Sequence, residues 1–172
     1  MTQFAHFDYK DGKLFCENTD VELIAKKQGT PLYIYSYQAL VDQYQAMTGA
    51  FEKHDHLICF SVKANSNKSI LKTFFNLGAG ADVVSGGELR RALDAGCDPK
   101  KIVFSGVGKT SEEIHLALSE GIYQFNVESE QELENIQRVA SFLDFKAAIA
   151  LRVNPDVDAK THPYISTEDS KE

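Results

Sequence analysis

One unit recurs about every 20 to 25 residues from position 57 onward: an apolar run, a polar turn, then an amphipathic stretch closed by a stop residue. The apolar runs Leu57–Ala64, Ala81–Ser85, Ile102–Ser105, Gln124–Val127 and Ala147–Val153 read as strands. Lys68–Leu77, Gly87–Ala95, Ser111–Ser119 and Ser129–Phe142 read as the helices between them, stopped at Gly78, Gly96, Gly121 and Asp144. Alternating βα units dictate a parallel sheet, because a helix carries the chain back to start each strand in the same direction. Units this short favour a (β/α)8 barrel over a doubly wound sheet. Such a barrel takes about 250 residues and eight strands. This chain of 172 residues is therefore expected to form an α/β partial TIM barrel of about the first five βα units. Its sheet would have edges near Leu57–Val62 and Ala147–Val153, short of charged gatekeepers, which predicts self-association of an isolated piece.

Upstream, residues His6 to Asn18 alternate around Asp11-Gly12, a hairpin signal. Thr19 and Asp20 can cap a short helix through Lys27, and Leu32–Tyr35 reads as a strand before a helix over Tyr37–Phe51. The expected organisation is an N-terminal hairpin and short helix over 1–30, a barrel portion over 31–167 and a polar tail over 168–172. The net charge of -7, with no basic block, points away from nucleic acid and anionic membranes as partners. No signal-peptide core is visible at the N-terminus, and the three cysteines are odd in number and widely spaced. Reduced thiols in a cytoplasmic protein are the expectation.

Chemistry-bearing residues come just after the strands, where barrel enzymes keep their sites. Lys63 ends the run Cys59-Phe60-Ser61-Val62-Lys63-Ala64-Asn65. A lysine at the mouth of a parallel strand sits beside an apolar core that disfavours the ammonium, as nucleophilic and Schiff-base lysines require. Ser85-Gly86-Gly87-Glu88 is either a capped tight turn or an anion-receiving helix start. Ser105-Gly106-Val107-Gly108-Lys109-Thr110 is close to a P-loop, but Val103 stands where that motif has its first glycine. Gly78-Ala79-Gly80 fails the dinucleotide fingerprint at Val83 and precedes a strand instead of following it. His54, Asp55, His56 and Cys59 lack a second ligand cluster, so no metal site is expected, and His115 reads as a partly buried packing residue. Arg152 interrupts an apolar strand, which calls for a carboxylate or an anionic ligand opposite it, or a structural ion pair.

Taken together, these stretches resemble the diaminopimelate decarboxylases, fold-type III enzymes that use pyridoxal phosphate (PLP). Phe60-Ser61-Val62-Lys63-Ala64-Asn65 is similar to the family's cofactor-lysine strand. Gly80 to Leu89, Ile102 to Thr110, Asn126-Val127-Glu128-Ser129 and Leu151-Arg152-Val153-Asn154-Pro155-Asp156-Val157 are similar to the later strand ends. The segment Lys160 to Thr167 favours this branch over ornithine- and arginine-specific relatives. The resemblance implies that Lys63 is the catalytic lysine, bound to PLP as an imine, and that Asp82 and Arg152 line the cofactor region. It implies decarboxylation of meso-diaminopimelate to L-lysine, and a homodimer for the complete protein.

The resemblance stops at Thr167, and Glu168-Asp169-Ser170-Lys171-Glu172 departs from it. By the family pattern, the later barrel strands, the ring-stacking histidine, the glycine-rich phosphate site and the C-terminal β-domain would come next. The N-terminal hairpin normally belongs with that β-domain. The chain is thus expected to be an N-terminal fragment, inactive alone. The alternatives are a non-catalytic PLP-binding or interaction module, a related basic amino-acid decarboxylase, and a phosphate-binding NTPase-like domain weakened by Val103.

Overall fold

The computed structural model describes residues 6–153. Strands β1 (Phe7–Lys10) and β2 (Lys13–Cys16) pair in antiparallel register, Lys10 opposite Lys13, across the two-residue turn Asp11-Gly12. Both turn residues have positive φ, 51° and 77°, the backbone that matches the twist of a two-residue hairpin. A two-residue strand β3 (Thr19–Asp20) adds to β2. Asp20 then caps α1 (Val21–Gln28), its Oδ1 accepting from the Glu22 and Leu23 amides at 2.8 and 3.3 Å.

Glu17 fastens this small sheet to the next helix, α2 (Tyr37–Ala50). Its Oε1 accepts from the Gln38 amide at 2.9 Å and from the Ser36 hydroxyl at 2.7 Å. A carboxylate at a helix N-terminus also meets the positive end of the helix dipole. His6 Nε2 reaches Asp42 Oδ2 at 2.7 Å further along α2. The expected strand Leu32–Tyr35 is not formed. Leu32 and Ile34 are half-buried and Tyr33 and Tyr35 exposed, so the alternation is real, but no strand among the described residues pairs with it.

The main sheet holds β4 (Cys59–Ser61), β5 (Gly80–Val83), β6 (Ile102–Phe104), β7 (Gln124–Val127) and β8 (Ile149–Leu151), all parallel and in chain order. Helices α3 (Lys68–Asn76), α4 (Gly86–Asp94), α5 (Ser111–Glu120) and α6 (Glu130–Phe142) connect them. This is the arrangement of the first part of a (β/α)8 barrel. The helices start where polar side chains satisfy free amides: Asn67, Ser85, Thr110 and Ser129 each accept from an amide of the first turn.

Period-2 alternation gives the sheet two unlike faces. Ala81, Val83, Ile102, Phe104, Phe125 and Val127 are buried together with Leu89, Ile114 and Ile136 from the helices. Phe104 and Phe125 lie in register on neighbouring strands with ring centroids 6.0 Å apart. Truncating either fully buried ring to alanine costs about 3–5 kcal/mol. The intervening residues Ser61, Asp82, Ser105, Gln124 and Asn126 are half-buried on the other face. The sheet edges fall where expected, at β4 and β8.

Gly80, buried at the start of β5, permits a close approach. A Cβ at this position would collide with the Lys101 carbonyl oxygen and sit 3.0 Å from Cys59 Sγ. Gly80→Ala should therefore lower stability by about 1–3 kcal/mol, the usual cost of overpacking, read as a lower urea midpoint with an unchanged slope. An equal midpoint would show that the strand start yields freely.

Docking of the hairpin should also depend on pH. The Gln38 amide, then the Ser36 hydroxyl, holds the Glu17 carboxyl below the ordinary carboxylate range. A depressed folded-state pKa stabilises above the unfolded value and is lost as pH falls through the folded value. Amide exchange at Gln38, corrected for its intrinsic pH dependence, should accelerate on acidification through that range. Glu17→Gln should remove the pH dependence.

Candidate functional site

Lys63 stands on a single 3-10 turn, Val62–Ala64, directly after β4. Val62 is fully buried and anchors the turn in the core, while Lys63 itself is exposed. The lysine is therefore past the strand end, not on it, and lacks the apolar surroundings that the sequence led us to expect among the described residues. A turn that plunges one residue into the core leaves the next outside. Its amine has no hydrogen-bond or ion-pair partner among the described residues. Beyond it, Asn65 accepts from the Asn67 amide at 3.0 Å and Asn67 caps α3 through Ser69 at 2.9 Å, so the backbone leaving the turn is tied down.

Asp82 lies on β5 opposite Ser61 in the ladder. Its Oδ2 accepts from Ser61 Oγ at 3.1 Å and its Oδ1 from Ser105 Oγ at 2.6 Å. Asn126 Nδ2 donates to Ser105 Oγ at 2.9 Å, and Gln124 Nε2 donates to Asn126 Oδ1 at 2.9 Å. The bonds run one way, from Gln124 through Asn126 and Ser105 into the Asp82 carboxylate. Hydrogen bonds aligned in series polarise one another.

Arg152 immediately follows β8, with its side chain 57% exposed, and pairs through Nη1 with Glu128 Oε2 at 3.1 Å. Among the possibilities left open by the sequence, the partner is thus a carboxylate of the chain itself. Glu128, only 11% exposed, also accepts the Gly106 amide at 2.7 Å. Ser105, Asn126, Glu128, Ala150, Leu151 and Arg152 line a cavity of about 300 Å3. Ser105 and Asn126 belong both to this cavity and to the row that ends on Asp82. Asp82 and Arg152 are therefore linked across β6 and β7, with Lys63 beyond the end of β4 on the Asp82 side.

Several other motifs resolve as structural. Lys109 is buried, and its Nζ donates to the Gly106 and Asn126 carbonyls at 2.8 and 2.9 Å and to Glu132. All three donors of the ammonium are used, which leaves none for a phosphate and removes the NTPase-like reading. The Gly86 amide donates to Glu113 Oε1 at 2.7 Å, so the glycine turn after β5 serves the fold. No cluster of potential metal ligands occurs among the described residues, and His56 Nδ1 lies 2.8 Å from its neighbour's carbonyl, His54 O. His115 is exposed on α5, not partly buried as its apolar sequence neighbours implied. Burial pushes the Cys97 thiol up to about 12 and the Cys59 thiol, helped by Asp82, up to about 11, which leaves neither a ready nucleophile.

Residues not singled out from sequence are Ser61, Ser105, Asn126, Glu128 and Glu132. A signal was present: Val83-Val84-Ser85-Gly86-Gly87-Glu88-Leu89 and Val127-Glu128-Ser129-Glu130-Gln131-Glu132-Leu133 share Val-x-Ser-x-x-Glu-Leu. In both, the serine caps the helix and the glutamate turns back to the amide before the serine, Val84 or Glu128, at 2.9 Å.

The chain has relatives among proteins of known family. The family model described as "Pyridoxal-dependent decarboxylase, pyridoxal binding domain" matches residues 37–172. The chain is 55% identical over 161 residues to the diaminopimelate decarboxylase of Pseudomonas aeruginosa, covering 94% of this chain and 39% of that protein. Among solved structures, the diaminopimelate decarboxylase of Helicobacter pylori complexed with L-lysine superposes with a TM-score of 0.82 at 48% identity, covering 85% of this chain and 37% of that one. That of M. jannaschii in co-complex with L-lysine gives 0.84 at 39% identity, covering 95% and 39%. The chain spans about 39% of the length of the first of these relatives. With Lys63, Asp82 and Arg152 all inside the matched segment, the chain belongs to the pyridoxal-dependent decarboxylase family.

Proposed function

We propose that this chain carries the cofactor-lysine side of a PLP-dependent enzyme that decarboxylates meso-diaminopimelate to L-lysine. The observation that carries the reading is the exposed, unpartnered amine of Lys63, held on an anchored turn within the matched pyridoxal-binding segment. The residues present fit the cofactor. Lys63 offers a primary amine for its aldehyde, the Ser61–Asp82–Ser105 group offers oriented polar atoms, and Arg152 offers positive charge toward an anionic group.

Bound PLP supplies the electron sink that takes up the electron pair left when CO2 departs. The chain's own residues bind and orient. Lys63 Nζ attacks a carbonyl carbon only as the neutral amine, so one of its protons must first be taken by a base. Val62, fully buried, anchors the turn from which Lys63 extends. Asp82 is fixed by two serine hydroxyls on either side, so its carboxylate is set before any ligand arrives. Glu128 restrains the Arg152 guanidinium at one nitrogen and leaves much of the rest exposed. Cytoplasmic localisation and a homodimer that completes the site belong to the same reading. Among the described residues, no helix is long and apolar enough to cross a membrane.

Two measurements test this. Borohydride reduction of the PLP-loaded full-length protein, followed by peptide mapping, should place the pyridoxyl adduct on Lys63, and Lys63→Ala should lose it. An adduct on another lysine would overturn the assignment. Residues 1–172 alone, with PLP added, should release no measurable CO2 from meso-diaminopimelate, since the matched relatives are far longer and positioning is worth several powers of ten in rate. Sustained CO2 release would show that this portion suffices.

A further inference from the structure

The buried ion pair between Lys109 and Glu132 lines no part of the cavity beside Arg152, and its side chains are 0% and 7% exposed. A buried pair is a poor device for stability alone, because desolvation offsets most of the attraction. Its connections indicate a different role. Glu132 Oε2 accepts the Glu128 amide at 2.9 Å, and Lys109 Nζ holds the Gly106 and Asn126 carbonyls at 2.8 and 2.9 Å. Glu128 in turn binds the Gly106 amide at 2.7 Å and Arg152 at 3.1 Å. The pair therefore grips the backbone at the C-terminal ends of β6 and β7 from inside, and those segments present Asn126, Glu128 and, through Glu128, Arg152.

We propose that Lys109 and Glu132 are positioning residues for the cofactor face, acting through Glu128 on Arg152. The path is short and continuous: buried pair, Glu128 amide, Glu128 carboxylate, Arg152 guanidinium. With the pair removed, residue 128 loses an amide bond and residues 106 and 126 lose a common anchor, so Glu128 no longer holds Arg152 in one place. Around metal sites, residues that orient a ligand from behind alter affinity by about 10- to 100-fold.

The inference rests on the reading of Arg152 as a cofactor-lining residue, and a mutant cycle separates the two. PLP affinity is measured by fluorescence on the full-length protein for Arg152→Met, for Lys109→Met/Glu132→Leu and for the triple variant. The double change replaces the charges with apolar groups of similar volume, which is often neutral for folding. Should it not fold, Glu132→Gln tests the same link, since Glu132 meets Lys109 and the Glu128 amide with different oxygens and a carboxamide has an oxygen at only one of those two places. The expected result is an affinity loss of about 10-fold for the double variant, with no further loss when it is added to Arg152→Met. An equal loss in both backgrounds, or none in either, overturns the proposal. Unchanged affinity in Arg152→Met overturns instead the cofactor reading of Arg152. Hydrogen exchange at the Gly106 and Glu128 amides then decides the positioning itself: about 10-fold faster in the double variant if the pair holds them, unchanged if the idea is wrong.

Discussion

The polar groups on β5 and β7 face where they do because their neighbours in sequence are buried under the helices. Ala81 and Val83 enter the core and turn Asp82 to the opposite face, and Phe125 and Val127 do the same for Asn126. Burial of an aliphatic or aromatic side chain is worth about 1.5–3 kcal/mol, more than a typical net hydrogen bond at about 0.5–1.5 kcal/mol. The apolar set therefore decides the orientation of β5, β6 and β7, and the polar set inherits the other face. A slip of one residue in any strand would invert both at once.

Given that orientation, hydrogen bonds across strands select which polar groups meet. Ser61, Asp82, Ser105 and Asn126 come from four separate strand regions, yet they join in one row. Each hydroxyl and amide in the row has a defined role as donor or acceptor, so the row has a direction as well as a shape. The negative end lies at Asp82, beside the strand that leads into the Lys63 turn. The positive group, Arg152, lies at the other edge of the sheet and is held by Glu128. Asp82 thus stands at one end of the face and the Glu128–Arg152 ion pair at the other, with Ser105 and Asn126 between them.

The loops at the same end of the sheet are joined to one another by glutamates. Glu113 takes the Gly86 amide, Glu128 the Gly106 amide and Glu132 the Glu128 amide. Each of the first two bonds ties one βα loop to its successor, so the loops form a connected rim. Lys109 and Glu132 lie beneath this rim, and the cost of burying them is met by three hydrogen bonds from the lysine and two accepted bonds on the glutamate carboxylate.

The order of elements, the parallel sheet, the Asp11-Gly12 hairpin and the family were all legible in the sequence, because periodicity, turn residues and strand-end motifs are local properties. Position at a strand end also marked Lys63, a charge within an apolar run marked Arg152, and the motif around Asp82 marked that residue. Elsewhere local pattern was insufficient. Leu32–Tyr35 alternates like a strand, but a strand needs a partner, and partners are set by tertiary packing. Lys63 was expected on the strand, whereas burial of Val62 ends β4 early and turns the lysine outward. Lys109 stood in a near-P-loop already weakened by Val103, and its buried role stayed hidden because its three bonds reach residues close and far in sequence, from Gly106 to Glu132. The partnership of Glu128 with Arg152 spans 24 positions and was likewise invisible. Which polar groups meet depends on distances between strands, and those exist only once the apolar face has packed.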